Sequence, residues 1–508
     1  MEEQDKSINE LLLNENTSSN DVYQIYNLDK FFTNVYYYYK FKGYSNIATY
    51  YYVNILNIFI TLFFSLLLAY INWENLNKCN LDDFSCDVNI FKFDNRFNNS
   101  LTSFIFWSYI IIIILYLTWM ICNTNINIKN YKLIQNFYNI QLNISDVEFY
   151  SLNWNDILIA IEKFQDNTNF IINFRRIEKQ NKNMIISRIM RKDNYLISLI
   201  SKNIIGIKSE YSSLVFNKSL LWNINVCILS EIIESNKYKN IKEKDLKQKL
   251  RIFAILNLIF SPFICMYIII YYFLNNAARY QKDPSQITEH NWTTYAQWFF
   301  RDYNEMPDLF ETRLLKSKNI SNQFIDRFRP PLYNILAKFF TFMFSSIVAI
   351  MILLGLYNEA VLSVTILNRN LWWYIAVFSG FSLITHSYAR SFDITHIPAD
   401  YSKQLLDLLK NYPKNWDVLN QWELYTEIQK YFKFKIFLLF RELLGVFLTP
   451  YFMLTHFYNR TNIICDFLNN SSIEFGNVGY ICKYANFTND TDDEKSRSSY
   501  INYCNFYI

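Results

Sequence analysis

Within a stretch that carries no charge, Asn54, Asn57, Thr61 and Ser65 recur at i, i+3, i+7 and i+11. On a helix that spacing puts four hydrogen-bonding side chains on one face. Ser379, Ser382, His386 and Arg390 repeat the pattern elsewhere, flanked by Thr385 and Ser387, and Thr341 and Ser345 stand at i, i+4 in another uncharged stretch. A further apolar stretch carries Arg441 and Glu442, which are costly facing lipid and belong against protein or a water cavity. Lys282 and Asp283 come just after another, past Arg279, Tyr280 and Gln281. Side chains of these types, so spaced, solvate rather than cleave. In a bilayer they serve either helix–helix hydrogen bonding or a wet groove. Such a groove would pass lipid headgroups while the tails stay in hydrocarbon, and it needs no fuel.

Other chemistries lack their residues. The 508-residue chain has seven glycines and neither GxGxxG nor GxxxxGK[ST], so it has no standard nucleotide loop. His290, His386, His396 and His456 form no HExxH, the eight cysteines form no CxxC, and there is no GxSxG elbow. We therefore expect no enzyme activity, cofactor or metal site. A net charge of +4 without a Lys/Arg-rich run argues against nucleic acid and suits an anionic membrane surface.

The elements that must position these residues are membrane helices. Five uncharged segments reach the ~20 residues that cross ~30 Å of hydrocarbon: Gly43–Trp73, Asn98–Asn127, Ile252–Ala278, Phe339–Asn358 and Asn370–Ala389. A sixth, Phe434–Tyr458, is apolar apart from Lys435, Arg441 and Glu442. Loop charge orients them. The loop from Asn72 to Leu101 holds three Lys/Arg against five acids and reads as luminal; Asn125–Leu250 holds nineteen Lys/Arg and reads as cytosolic. Asn276–Leu332 is again basic. Re-entrant hairpins turning at Ser261–Pro262 and at Thr449–Pro450 reconcile the charges, because proline removes a helix hydrogen bond and disfavours helix at the residue before it; a kinked span is the other reading at Pro262.

The fold expected is an all-α integral membrane protein with four transmembrane helices, two re-entrant hairpins, cytosolic helices and both termini cytosolic. Spans fall at 47–72, 102–124, 335–358 and 370–389, and hairpins at 251–278 and 434–458. The loop 73–101 and the turn 359–369 are luminal. Segments 1–46, 125–250, 279–334, 390–433 and 459–508 are cytosolic. In the luminal loop Cys79 and Cys86 could form a disulfide, and Asn98 heads a glycosylation sequon. Within 125–250, Trp154, Ile157, Leu158 and Ile161 keep helical spacing, as amphipathic helices do.

Several blocks resemble the core of the autophagy-related protein 9 family, in that family's order: FFTNVYYYYKFKGY (31–44), ISRIMRKDNYLISLI (186–200), SPF (261–263), WFFRDYNEMPDLFETRL (298–314), SNQFIDRF (321–328), LLGVFLTPYFML (443–454) and VGYICKYANF (478–487). The resemblance implies an interlocked homotrimer and passive scrambling of membrane phospholipids. It places the protein on Golgi- and endosome-derived vesicles and at the phagophore assembly site, with autophagy-related protein 2, a lipid-transfer protein, as partner. It also implies that Lys282, Asp283 and Thr385–Ser387 line the lipid path.

Overall fold

A computed structural model describes residues 22–24, 27–71, 100–167, 169–172, 175–176, 179–206, 215–230, 241–282, 286, 289–328, 331–358, 362, 365–366, 369–390, 401–474, 479–487 and 493–507. Cys79, Cys86, Asn98 and Asp283 lie outside these residues.

Helix α1 (Leu28–Lys40) starts where Asn27 accepts a hydrogen bond from the Lys30 amide, and its apolar spacing buries Leu28, Phe32, Val35 and Tyr36. It stops at Lys42 and Gly43, both with positive φ. Then come the uncharged α2 (Tyr44–Tyr70) and α3 (Ser100–Asn136), which is uncharged up to Lys129 and continues as a π-turn over Phe137–Gln141. Four amphipathic helices follow: α4 (Trp154–Asn167), α5 (Lys182–Ile189), α6 (Arg191–Ser201) and α7 (Lys218–Ile224), the last running into a π-turn at Asn225–Leu229. The long α8 (Glu243–Lys282) leads to α9 (Thr294–Phe299) and α10 (Pro307–Arg327). Two apolar helices, α11 (Pro331–Tyr357) and α12 (Leu371–Arg390), form a helical hairpin. After α13 (Tyr401–Leu409) and α14 (Gln421–Tyr431), α15 (Lys435–Phe452) ends in a π-turn at Met453–Phe457, and α16 (Thr461–Asn470) and α17 (Glu494–Tyr507) complete the described chain. Strands of two to four residues only tie loops together. One such pair, β1 (His290–Trp292) with β2 (Phe432–Phe434), sets His290 opposite Phe434.

Among the described residues five helices are long and apolar enough to cross a membrane: α2, α3, α8, α11, and α15 with its π-turn; α12 is a shorter apolar helix. Among the described residues the buried apolar side chains form three cores. One joins α1, the end of α3, α4, α5 and α17. A second, larger core takes side chains from residues 195–229, 246–254, 292–325, 405–432 and 453–485. A third is the α2–α3 seam of Ile58, Leu62, Tyr109, Ile110, Ile113 and Leu117, with Phe263 of α8 against it.

The chain does not reverse at either proline. Helix α8 runs unbroken through Ser261 and Pro262, and α15 runs through Thr449 and Pro450. Proline 262 frees the carbonyl four residues back, that of Leu258; the Ser261 hydroxyl donates to it at 2.9 Å. Beyond Pro450 the helix widens into the π-turn instead of folding back. The expected hairpin turns are therefore corrected to continuous helices. Both ends of α15 make polar contacts with the rest of the chain. At one end Lys435 pairs with Glu289; at the other Tyr458 accepts from Arg251 at 3.0 Å and Arg460 donates to the Ile204 carbonyl.

Candidate functional site

The sequence-derived polar residues separate into three places. On α12, Thr385 lies 2.9 Å from Thr341 of α11, hydroxyl to hydroxyl, while Thr341 also donates to the Ala337 carbonyl at 2.7 Å. Phe344 faces Phe378 and Phe381 beside this pair. Ser379 and Ser382 are half-buried and His386 is exposed. Ser345 bonds its own helix, at the Phe342 carbonyl. Ser387 and Arg390 belong to the last turn of α12, with their side chains outside the described set. This hairpin makes its main contacts within itself, and none of α11's apolar window is buried in the chain.

The first stripe goes elsewhere. Thr61 and Ser65 are buried in the α2–α3 seam and donate to the Asn57 and Leu62 carbonyls at 2.7 Å each; Asn54 is half-buried and Asn57 exposed. Among the described residues this stripe and that of α12 do not meet inside one chain: α2 packs on α3 and α8, whereas α12 packs on α11. Hydroxyls that satisfy backbone carbonyls of their own helix cost little in a dry seam, which is why Thr61 and Ser65 can sit there. Lys282 ends α8 as an exposed side chain.

Arg441 and Glu442 lie on α15, where α7, α8 and α15 form a bundle. Glu442 accepts from the Lys218 amide at 3.1 Å and from the Thr294 hydroxyl at 3.4 Å. One turn on, Asn217 caps α7 through the Leu220 amide at 2.7 Å and donates to Thr449 at 3.3 Å. Asn257 of α8 donates to Asn223 of α7 at 2.7 Å and to the Phe253 carbonyl at 2.7 Å. These asparagines form the layer that aligns three apolar helices. Sequence reasoning missed them because asparagine is so frequent here. The recoverable signal is Asn257, set in the apolar part of an uncharged run well away from Asn275 and Asn276 at its end.

Off the membrane helices, the block 298–314 builds a buried charged knot. Arg313 grips Glu305 with two bonds, of 2.7 and 2.6 Å, and also donates to the carbonyls of Phe300, Leu408 and Leu409. Asp302, 3% exposed, accepts from Asn411 and Asn502; burial, and then the Glu305 carboxylate, push its carboxyl up. Asn304, at a φ of 55°, exchanges bonds with Asn194 at 2.7 and 2.9 Å. The knot joins α6, α10, α13 and α17, so it is a structural hub. Among the described residues no cluster of His, Cys, Asp and Glu could hold a metal.

Lys495 of α17 donates to the Phe299 carbonyl at 2.7 Å at the edge of this knot, and burial pulls its ammonium down to about 8. In the unfolded chain it titrates near ~10.4. Between these values the unfolded chain binds the extra proton, so stability rises with pH. The cost of the buried charge is fully present below about pH 8. We expect the apparent melting temperature of Lys495→Gln, relative to the parent protein, to fall behind as pH rises from 8 to 10. Parallel curves would refute the assignment.

The sequence model described as "Autophagy protein ATG9" matches residues 20–488. Autophagy-related protein 9 of Vanderwaltozyma polyspora is 28% identical, the match covering 93% of this chain and 52% of that protein. The Arabidopsis thaliana protein of the same name is 25% identical, over 93% of this chain and 58% of its own length. The chain thus spans about half the length of the curated relatives it matches. The cryo-EM structure of Schizosaccharomyces pombe Atg9 superposes with a TM-score of 0.63 at 23% identity, covering 91% of this chain and 99% of that one, and so has the same fold. With the family match running through the α7–α8–α15 bundle, the α11–α12 hairpin and the charged knot, the chain belongs to the ATG9 family of autophagy proteins.

Proposed function

We propose that this protein is an ATP-independent phospholipid scramblase that rebalances leaflets while the autophagosome membrane grows. It works as an interlocked homotrimer on Golgi- and endosome-derived vesicles and at the phagophore assembly site, on lipids delivered by autophagy-related protein 2. Helices α2, α3, α11 and α12 span the bilayer, and both termini are cytosolic.

The observation that carries this reading is the α11–α12 hairpin. It is apolar, has no burial of α11's apolar window within its own chain, and still carries Thr341, Ser379, Ser382, Thr385 and His386. Exposed apolar surface at this scale calls for lipid or for further copies of the chain. Polar side chains placed on it give headgroups something to bind partway across. A groove of this kind would form between protomers, which fits the separation of the stripes within one.

In liposomes with fluorescent lipid in both leaflets and no ATP, the protein is expected to let an impermeant bleaching agent destroy nearly all the signal. A plateau at the outer-leaflet half would overturn the proposal, and conductance without lipid movement would indicate an ion pathway instead. Leucine at Thr341, Ser382, Thr385 and His386 together is expected to slow bleaching at least about tenfold, the equivalent of ~1.4 kcal/mol of barrier. Leucine at Lys282 and Asp283 should slow it less. A scaffold that recruits partners without moving lipid would show no change in either variant.

A further inference from the structure

Apart from the membrane helices, a cavity of about 420 Å³ opens where the start of α1 meets the junction of α5 and α6. Its size lies within the ~300–1,000 Å³ usual for small-molecule sites. Four basic side chains line it, Lys30, Arg188, Arg191 and Lys192, against two acids, Asp29 and Asp193. Arg188 and Arg191 are 6% and 3% exposed. Both pair with the single carboxylate of Asp29, at 3.0 and 2.9 Å. Asp193 is engaged by Arg301 at 3.1 Å. Burial, with the like charge of Arg191, pulls the Arg188 guanidinium down. The first turn of α6 has no side-chain cap, and Arg191 to Asp193 form that turn at the cavity wall.

We propose that this cavity is a binding site for a phosphomonoester group, carried by an inositol phosphate or by a phosphoinositide headgroup. A phosphomonoester bears about −1.5 to −2 charge at pH 7 and offers three acceptor oxygens. That matches two buried guanidiniums, two lysines and the excess of positive charge around them. Arginine forks suit such oxygens better than a second carboxylate would. The remaining volume has room for the ring that carries the phosphate, and Tyr36 and Tyr37 lie along it. The site lies at the far end of α1 from α2, and it does not depend on lipid movement.

The test uses the full chain in detergent and in nanodiscs, with tritiated inositol trisphosphate as probe. Saturable binding is expected, displaced by inorganic phosphate at higher concentration. Lys30 and Lys192 are exposed, so Lys30→Gln with Lys192→Gln should leave the melting curve unchanged and weaken binding at least about tenfold. Arg191→Lys, which keeps the charge and loses the fork, should weaken it as well. A phosphoinositide in the nanodisc that displaces the probe identifies a lipid source; displacement by soluble ligands alone identifies a free one. Either result supports the site. No saturable binding by folded protein, or binding unchanged in the double variant, overturns it. So does tighter binding of a phosphoserine peptide than of the probe. A protein that binds the probe and scrambles nothing would keep this site and lose the proposed function.

Discussion

Arg313→Met is expected to destabilise the protein by about 3–5 kcal/mol, the usual cost of stranding one partner of a buried ion pair. The guanidinium holds both oxygens of Glu305 and three backbone carbonyls. Side-chain exposure at the pair is only 10% and 7%. Removing Arg313 leaves Glu305 charged, out of water and close to Asp302, whose carboxyl Glu305 already pushes up. The loss should appear as a lowered thermal midpoint and a loss of monodisperse protein on size exclusion. Arg313→Lys keeps the charge but not the fork and should lose less. The decisive comparison is Arg313→Met with Glu305→Met. The lone buried charge is then gone, and part of the stability should return. If the double variant is as unstable as the sum of the singles, the pair is not what holds the knot.

The second large effect is expected at Gly445. A Cβ there would come within 2.1 Å of the Asn217 amide nitrogen. That amide cannot swing aside freely, because Asn217 caps α7 through the Leu220 amide and bonds Thr449 of α15. Gly445→Val should therefore cost about 2–4 kcal/mol, combining overpacking of ~1–3 with a weakened cap of ~1. Alanine gains up to ~1 kcal/mol of helix propensity against the same contact and should cost less. Asn217→Ala removes the obstacle along with the cap. Gly445→Ala in that background should then be neutral or stabilising. Equal cost of Gly445→Ala in both backgrounds, read from thermal midpoints, would show that the α7–α15 contact is looser than described.

Much of the architecture was legible in the residue order. The uncharged runs became α2, α3, α8, α11 and α12, and the spacing Trp154, Ile157, Leu158 and Ile161 became the buried face of α4. Side chains from 125–250, 279–334 and 390–433 meet in one core. Prolines 262 and 450 misled, because a proline's effect depends on whether a neighbour repairs the lost bond. Ser261 does so at Leu258, and no spacing rule announces that repair. The asparagine layer was hidden by composition, since Asn217, Asn223 and Asn257 look like every other asparagine until three helices converge on them.

Which segments are long and apolar enough to enter a membrane, and in what order, was determined by the sequence alone, because hydrocarbon admits only stretches that are uncharged and satisfy their own backbone, and both properties are local. Which polar side chains meet was decided only by the tertiary structure. Thr61 and Ser65 face a dry seam, Thr385 meets Thr341, and Arg313 meets Glu305, because the environment of a polar group is set by whatever else packs against it.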